Sequence, residues 1–245
     1  MGLPKDFNNI IESQLNIFAA WLPLTNIYEL GDYGVIADGV FAKMGNIKEF
    51  DVEFTPQTGN ESKIDFTSAS TSITNFSAGG KVDVIPEGSI DAKVTFKFEK
   101  GKSFLIKSPS INITAIGNIN QVGEKLMVHP KWQRKFKVVY QTYFAKEAAI
   151  MSTINAGTEI TFSGDVKALQ KLNVGNASLN FTSSHKLGLD QQGKEGVIGL
   201  GLFQIVRGGI FGLGDDEIKV LAEGEKGDPL ELKVTSKKVK FEDDL

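Results

Sequence analysis

Residue types that support enzymatic chemistry are scarce in this sequence. It contains no cysteine and only two histidines, His129 and His185. Without cysteine there are no disulfide bonds, thiolate metal ligands or cysteine nucleophile. No G-x-S-x-G, H-E-x-x-H, Walker or EF-hand pattern occurs, and an enzyme would need His185, which has the setting of an ordinary strand histidine. The sequence therefore predicts no catalytic, metal or cofactor site.

Basic side chains are more suggestive of a function. One group lies at the end of an alternating segment that covers residues 61–107: Lys93, Lys97, Lys100, Lys102 and Lys107. A second group surrounds Trp132: Lys131, Arg134, Lys135 and Lys137. Each basic residue close to an anionic membrane surface contributes about 1 kcal/mol of binding. The alternative interpretation is a set of solvated strand faces and loops, and the charge pattern favours neither.

The bulk composition excludes some function classes. The chain has 245 residues, 41% of them hydrophobic, and a formal net charge of -3, so no overall basic charge favours nucleic acid. Residues 208–245 include 10 acidic and 6 basic residues, which makes this end acidic. No secretory signal is visible and no apolar stretch reaches the roughly 18 residues of a membrane helix. We therefore expect a cytoplasmic protein in its soluble state.

Two long segments of alternating side chains, called ribbons, are the most distinctive elements. The first covers residues 61–107, with alternation over 64–76 and 90–98, and the second has alternation over 158–165 and 177–189. Alternation predicts strands that have one apolar and one polar face. Their apolar faces are padded with Ser and Thr, which is unusual for a sandwich core. Their lengths approach the 9–11 or so residues of a membrane-crossing strand.

The rest of the pattern predicts a single, β-rich α+β domain. Residues 7–18 predict an amphipathic helix capped by Asp6, and Asp38-Gly39 predicts a hairpin turn. Ser108-Pro109 is expected to end the first ribbon. Further predicted elements are strands over 51–54, 111–119, 138–145 and 218–221, a strand or helix over 122–128, a short helix over 166–172 and a buried central strand over 197–206.

Several short strings, together with the two ribbons, form a layout found in a known family. They are Leu22-Pro23-Leu24 leading into Gly31-Asp32-Tyr33-Gly34-Val35, then Asp38-Gly39-Val40-Phe41, Gly45-Asn46-Ile47, Trp132 with Val138-Val139, and residues 148–153. This layout resembles the pore-forming domain of gasdermins. The length matches the small microbial members, which are bacterial gasdermins and fungal regulator-of-cell-death proteins.

The resemblance implies a twisted β-rich sheet with short flanking helices, in which residues 1–245 form one pore-forming domain. Residues 63–107 and 158–206 would be two amphipathic hairpin regions able to become membrane β-strands. Soluble monomers would move from the cytoplasm to an anionic phospholipid membrane, and related subunits would assemble there as a homo- or hetero-oligomeric β-barrel pore that kills the cell. Such pores serve innate immunity or allorecognition.

The resemblance and the alternation together assign residues to this process. Lipid contact is expected from Lys93, Lys97, Lys100, Lys102 and Lys107. Membrane insertion is expected from Ile64, Phe66, Phe76, Ile90, Val94, Phe96, Phe98, Ile160, Phe162, Ala177, Leu179, Phe181, Leu187 and Leu189.

Two features depart from the family pattern. Bacterial members carry a lipidated cysteine near the start, which is absent here, and animal members carry a large inhibitory second domain, for which this chain has no room. Residues 233–245 are a candidate regulatory tail, and the trigger is either an activating protease or a divergent partner protein. The alternative to a pore is a soluble β-rich binding module without membrane activity.

Overall fold

The chain is built mainly of antiparallel strands. The computed structural model describes residues 3–171, 179–184, 187–207 and 216–221. Its helices are α1 (Leu3–Leu15), α2 (Ile119–Met127) and α3 (Val166–Lys171), with a 3-10 turn at Ile47–Phe50. The strands are β1 (Phe18–Ala19), β2 (Asp32–Ala37), β3 (Val40–Asn46), β4 (Pro56–Thr58), β5 (Ser62–Thr67), β6 (Thr71–Ser77), β7 (Gly80–Val82), β8 (Lys93–Phe98), β9 (Ser103–Ile116), β10 (Lys137–Thr153), β11 (Thr158–Gly164), β12 (Leu179–Ser183), β13 (Leu187–Arg207) and β14 (Asp216–Leu221). The predicted α+β, β-rich class is confirmed.

The larger of two sheets, called the large sheet, contains nine strands within the described ranges. Its main order is β1-β13-β10-β2-β3. β10 pairs with β2 near its start and with β9 over the rest of its length. β4 and β5 pair with the other edge of β9, and β14 pairs with β13. β13 is therefore a central strand, which explains why residues 197–206 are apolar on both faces.

The second sheet, called the small sheet, has the order β12-β11-β8-β6-β7 in the described part of the chain. One of its faces packs against the large sheet through a shared apolar cluster. The other face of the large sheet is covered by α1, whose Phe7, Ile10 and Ile11 join a cluster with Phe104 and Ile106 of β9. The molecule thus has three layers: α1, the large sheet and the small sheet.

The first helix differs from its predicted range. It begins at Leu3 and ends at Leu15, because Asn16 adopts a left-handed conformation with φ 56°. Asp6 consequently lies in the first turn, where its charge suits the helix dipole, instead of capping the helix. Phe18, predicted to be helical, pairs with Leu200 as part of β1.

A carboxyl group on α1 makes the stability of the fold depend on pH. Burial raises the pKa of Glu12 to about 7, so the folded state keeps a proton that the unfolded chain has lost. The contribution of Glu12 to stability is therefore most favourable in acid and falls as the pH rises from about 4.5 to about 7. Glu12→Gln removes this penalty, and we expect it to stabilise the protein by about 1–2 kcal/mol at pH 8, after screening by solvent. Urea unfolding should show no gain at pH 4.

One of the predicted strands is wrong. The strand predicted over residues 51–54 is not formed; the 3-10 turn precedes this stretch, and β4 begins after it at Pro56. A capping box between Asn46 and Glu49 initiates the turn, and Asp51 ends it with φ 55°. These side-chain hydrogen bonds take the chain out of the extended conformation.

The first ribbon also ends differently from the prediction. Ser108-Pro109 does not end it, because β9 continues through the exposed Pro109. The Ser108 hydroxyl lies within hydrogen-bond distance of the carbonyls of Ser110 and Lys146, which keeps β9 tied to β10 at this point. The hairpin at Asp38-Gly39 is confirmed, with Ala37 paired to Val40, and the 122–128 stretch is the helix α2.

Neither predicted ribbon is one continuous strand pair in this structure. The expected strand over 64–76 is divided into β5 in the large sheet and β6 in the small sheet. Ser68 causes the break, since its buried hydroxyl exchanges hydrogen bonds with the backbone of Phe104 and replaces the regular ladder. The expected strand over 177–189 is divided in the same way between β12 and β13.

Candidate functional site

The inner face of the small sheet holds five of the side chains predicted to insert into a membrane. They are at most 1% exposed: Val94, Phe96, Phe98, Ile160 and Phe162. They pack against Leu105, Ala149 and Met151 of the large sheet. The rings of Phe96 and Phe162 meet edge to face, with centroids 5.8 Å apart. In this form of the protein these residues are a core between two sheets.

Four more of the predicted insertion residues lie elsewhere in the two apolar layers. Ile64 and Phe66 of β5 pack into the layer beneath α1, where the Phe66 ring stacks on Phe104 with centroids 4.8 Å apart. Leu189 is buried in that same layer, whereas Leu187 packs against the layer between the sheets. The fold therefore divides these apolar side chains between two layers.

The other predicted insertion residues are exposed or only partly described. Phe76 on β6 is 36% exposed, and Ile90, which precedes β8, is 72% exposed. Leu179 and Phe181 belong to β12, but their side chains lie outside the described set, and Ala177 is outside the described residues altogether. The structure thus does not gather all predicted insertion residues on one surface.

The outer face of the small sheet is polar. The hydroxyls of Thr95 and Thr161, which are opposite each other on β8 and β11, lie 2.9 Å apart. Lys97 forms an ion pair with Glu159 at 3.4 Å on the same two strands. β8 and β11 are therefore amphipathic strands, as their alternation predicts.

The two sheets are built from the same four chain segments in the same order. β5, β9, β10 and β13 are neighbours in the large sheet, and β6, β8, β11 and β12 are neighbours in the small sheet. Each small-sheet strand is joined directly to the corresponding large-sheet strand, through links at 68–70, 99–102, 154–157 and 184–186. The small sheet is therefore the folded-back continuation of four large-sheet strands.

The two central segments keep their pairing register through the bend. The β9–β10 ladder ends at Ser103 opposite Thr153, and the β8–β11 ladder begins at Phe98 opposite Thr158. Both strands thus advance by five residues between these pairs. At the bend the Gly157 amide still donates to the Phe98 carbonyl at 2.7 Å. These two segments form one bent ladder with a single register.

In the described part of the links, three positions lie in the left-handed backbone region. Ser70 has φ 64°, Lys102 has φ 57° and Gly157 has φ 76°. A serine or lysine in this region is strained by about 1–2 kcal/mol, because Cβ approaches a carbonyl oxygen. An extended strand has negative φ at all three positions. Straightening the links would release this strain.

We expect Ser70→Gly to stabilise the folded protein, with its bent strands, by about 0.5–1 kcal/mol. Glycine adopts positive φ without strain, and this gain exceeds the additional backbone entropy that glycine loses on folding. The matched control is Ser72→Gly in the exposed part of β6, which should destabilise the protein because glycine weakens a strand interior. Urea unfolding of the two variants measures both effects. A loss of stability in Ser70→Gly would contradict the assignment of strain to this link.

The predicted lipid-contacting lysines fall into two environments. Four of them are exposed: Lys93, Lys97, Lys100 and Lys102. Lys102 has an acidic neighbour, Asp6 of α1, at 3.8 Å. Lys100 and Lys102 both lie in the link between β8 and β9, where the chain passes from one sheet to the other.

Lys107 is the exception, because its side chain is only 5% exposed. It forms an ion pair with Asp65 of β5, and its Nζ lies 5.7 Å from the centre of the Phe96 ring. Burial, together with the positive charge of Lys63, lowers the pKa of Lys107 to about 8. A charged ammonium group thus lies at the interface between the two sheets.

The second basic group surrounds an aromatic cluster at the start of β10. The rings of Tyr33, Phe50 and Phe136 lie with centroids within 6.0 Å of Trp132. A cavity of about 330 Å³ beside the cluster is lined by Met127, Trp132, Arg134 and Ile205. Three basic residues here are exposed, Lys131, Arg134 and Lys135, whereas Lys137 is buried. This end of the molecule presents cations next to a rigid aromatic anchor.

The histidines and carboxylates are the remaining candidates for catalysis or metal binding. His129 packs its ring 4.8 Å from Phe50, and His185 lies outside the described residues. Among the described residues, no three His, Cys, Asp or Glu side chains come together as metal ligands. Over those residues, no helix has both the length and the apolar character needed to cross a membrane.

Comparison with known proteins found similarity among solved structures. No protein-family model matches the sequence, and no curated protein matches it significantly. The chain is similar to the solved structure of a bacterial gasdermin from Bradyrhizobium tropiciagri, over 88% of this chain and 90% of that one. The TM-score is 0.36 and the sequence identity is 13%. That protein comes from the family that the sequence layout resembles.

Proposed function

We propose that this protein is a pore-forming cell-death effector. It oligomerises in membranes that contain acidic lipid, and each subunit contributes two amphipathic β-hairpins to a large β-barrel pore. The observation that carries the proposal is the common strand order of the two sheets. Because each small-sheet strand continues a large-sheet strand, straightening four links turns the two sheets into one long sheet.

The side-chain pattern supports a membrane-crossing role for the straightened strands. Val94, Phe96 and Phe98 fall on the same face as Phe104 and Ile106 once β8 and β9 are continuous, since all are even-numbered positions. On β10 and β11 the same face carries Ala148, Ile150, Ile160 and Phe162. The opposite face carries Lys93, Thr95 and Lys97, which suit a water-filled lumen. The stretch from residue 90 to residue 98 has the length of a membrane-crossing strand.

The proposal assigns a covering role to α1. Phe104 and Ile106, which continue the apolar face, lie beneath this helix in the bent form. Straightening the link between β8 and β9 moves this end of the face, and we assign to α1 the role of leaving it in that step. The Lys102–Asp6 ion pair, which joins the link to α1, breaks in the same step.

The exposed lysines then divide into two roles. Lys100 and Lys102 follow the crossing stretch and lie on the same strand face as its apolar side chains. At this position their long side chains reach phosphate groups at the membrane surface. Lys93 and Lys97 take the lumen side. The exposed cations around Trp132 precede β10, and the opposite end of β10 joins the link at 154–157, so this group takes no part in the proposed contact.

Dye release from liposomes tests the proposed function. We expect the purified chain, alone, after limited proteolysis or mixed with a related subunit, to release dye from vesicles rich in phosphatidylserine. Vesicles of phosphatidylcholine alone should release much less. A folded monomer that releases no dye under any of these conditions would refute the proposal in favour of a soluble binding module.

A further inference from the structure

The four chain segments shared by the two sheets comprise two central strands, β8 with β9 and β10 with β11, and two outer strands, β5 with β6 and β12 with β13. The outer strands do not keep one register through the bend as the central pair does. The β5–β9 ladder ends at Thr67 opposite Leu105, and the β6–β8 ladder begins at Thr71 opposite Phe98. Between these pairs the outer strand advances by four residues and the central strand by seven. The bent form tolerates this difference of three, because the outer strand takes a shorter path around the bend.

The second hairpin region has a mismatch in the same direction. The β10–β13 ladder pairs Thr153 with Leu187, and the β11–β12 ladder pairs Ile160 with Ser183. A β-bulge between Ser152 and Thr153 adds one residue to this difference, because the regular β10–β13 register, which pairs Ser152 with Leu189, differs from the β11–β12 register by two residues. A straight, continuous strand cannot hold both registers at once.

We infer that the outer strand of the first hairpin region slides by three residues against its central neighbour when the hairpins straighten, while the central ladder keeps its register. This inference rests on the proposed function. The large-sheet register is the one retained, because β5 is anchored by Ile64 and Phe66 in the apolar layer. The register of β6 against β8 is the one that changes.

A slide by an odd number of residues moves side chains to the other face of the sheet. Phe76 is now opposite Lys93, on the polar outer face, and is 36% exposed. Extending the β5–β9 register to β6 places Phe76 opposite Phe96, on the apolar face. The slide thus gives a reason for a phenylalanine on the wrong face of the bent form.

Three threonines in one row allow a matched test. Thr74, Thr95 and Thr161 are direct neighbours across β6, β8 and β11, and the chain has no cysteine of its own. Opposed positions of this kind are close enough for engineered disulfides. The pair Thr74→Cys with Thr95→Cys locks the outer register, whereas Thr95→Cys with Thr161→Cys locks only the central one.

Dye release from phosphatidylserine vesicles, with and without reductant, is the measurement. We expect the oxidised 74–95 protein to lose at least tenfold in release rate and to recover on reduction. The oxidised 95–161 protein should release dye like its reduced form. In addition, Ser77→Cys with Thr95→Cys should cross-link only after assembly on vesicles, because the slide brings these positions opposite each other.

The contrary results are distinct. Equal release from oxidised and reduced 74–95 protein, or a block by the 95–161 disulfide, would overturn the slide while leaving the pore intact. If the wild-type chain and all reduced variants release no dye, the proposed function fails, and the slide fails with it.

Discussion

Replacing Lys107 by methionine is expected to stabilise the bent form by about 1–3 kcal/mol and to slow dye release at least tenfold. Lys107 is a buried cation between two apolar layers, and an apolar side chain of similar length avoids its desolvation cost. Its partner Asp65 remains solvated, since that side chain is 43% exposed and also lies 3.6 Å from Lys63. In the straightened strand Lys107 falls on the polar face with Lys97, so only the bent form gains.

Urea unfolding and vesicle release measure the two effects of Lys107→Met. The control is Lys63→Met, which removes the other cation beside Asp65 from a side chain that is 57% exposed. An exposed ion pair contributes about 0–1 kcal/mol, so this control should change neither quantity appreciably. Destabilisation by Lys107→Met, or wild-type release despite a more stable monomer, would contradict the assigned role.

Replacing Phe76 by arginine is expected to abolish dye release while the monomer stays folded. Phe76 is partly exposed on the small sheet, so the change should cost the bent form about 0.5 kcal/mol or less. On the lipid face of a barrel an arginine costs about 2–4 kcal/mol per subunit near the bilayer midplane. Phe96 cannot serve for this test, because it is fully buried and a charge there would unfold the monomer.

The control for Phe76→Arg is Val84→Arg. Val84 is 73% exposed and lies between β7 and β8, outside the described strands. Both variants should match the wild type in circular dichroism and urea midpoint, and only Phe76→Arg should lose release. Wild-type release from Phe76→Arg would remove Phe76 from the lipid-facing set.

Much of the fold was predictable because its signals are local. The Asp38-Gly39 turn has positive φ at both residues, as this type of hairpin requires. The alternation over residues 90–98 marks the buried face of β8 correctly. The break at Ser68 was not predictable, because it depends on hydrogen bonds to Phe104, which is 36 residues away along the chain.

For the candidate site, the sequence predicts which side chains share a strand face but not which layer of the molecule covers that face. Alternation identifies which side chains share a face, yet it does not say whether that face meets lipid, a helix or a second sheet. The sequence contains a signal for the burial of Lys107, because this residue shares a strand face with Leu105 within an apolar run. The matching order of the two sheets depends on long-range pairing, which no local pattern encodes.

Electron microscopy of phosphatidylserine vesicles after incubation with the protein tests the central claim most directly. The account predicts ring-shaped assemblies that perforate the bilayer, in which the 93–116 and 137–164 segments are straight strands of one barrel. Bound protein that retains two separate sheets, without rings, would contradict it.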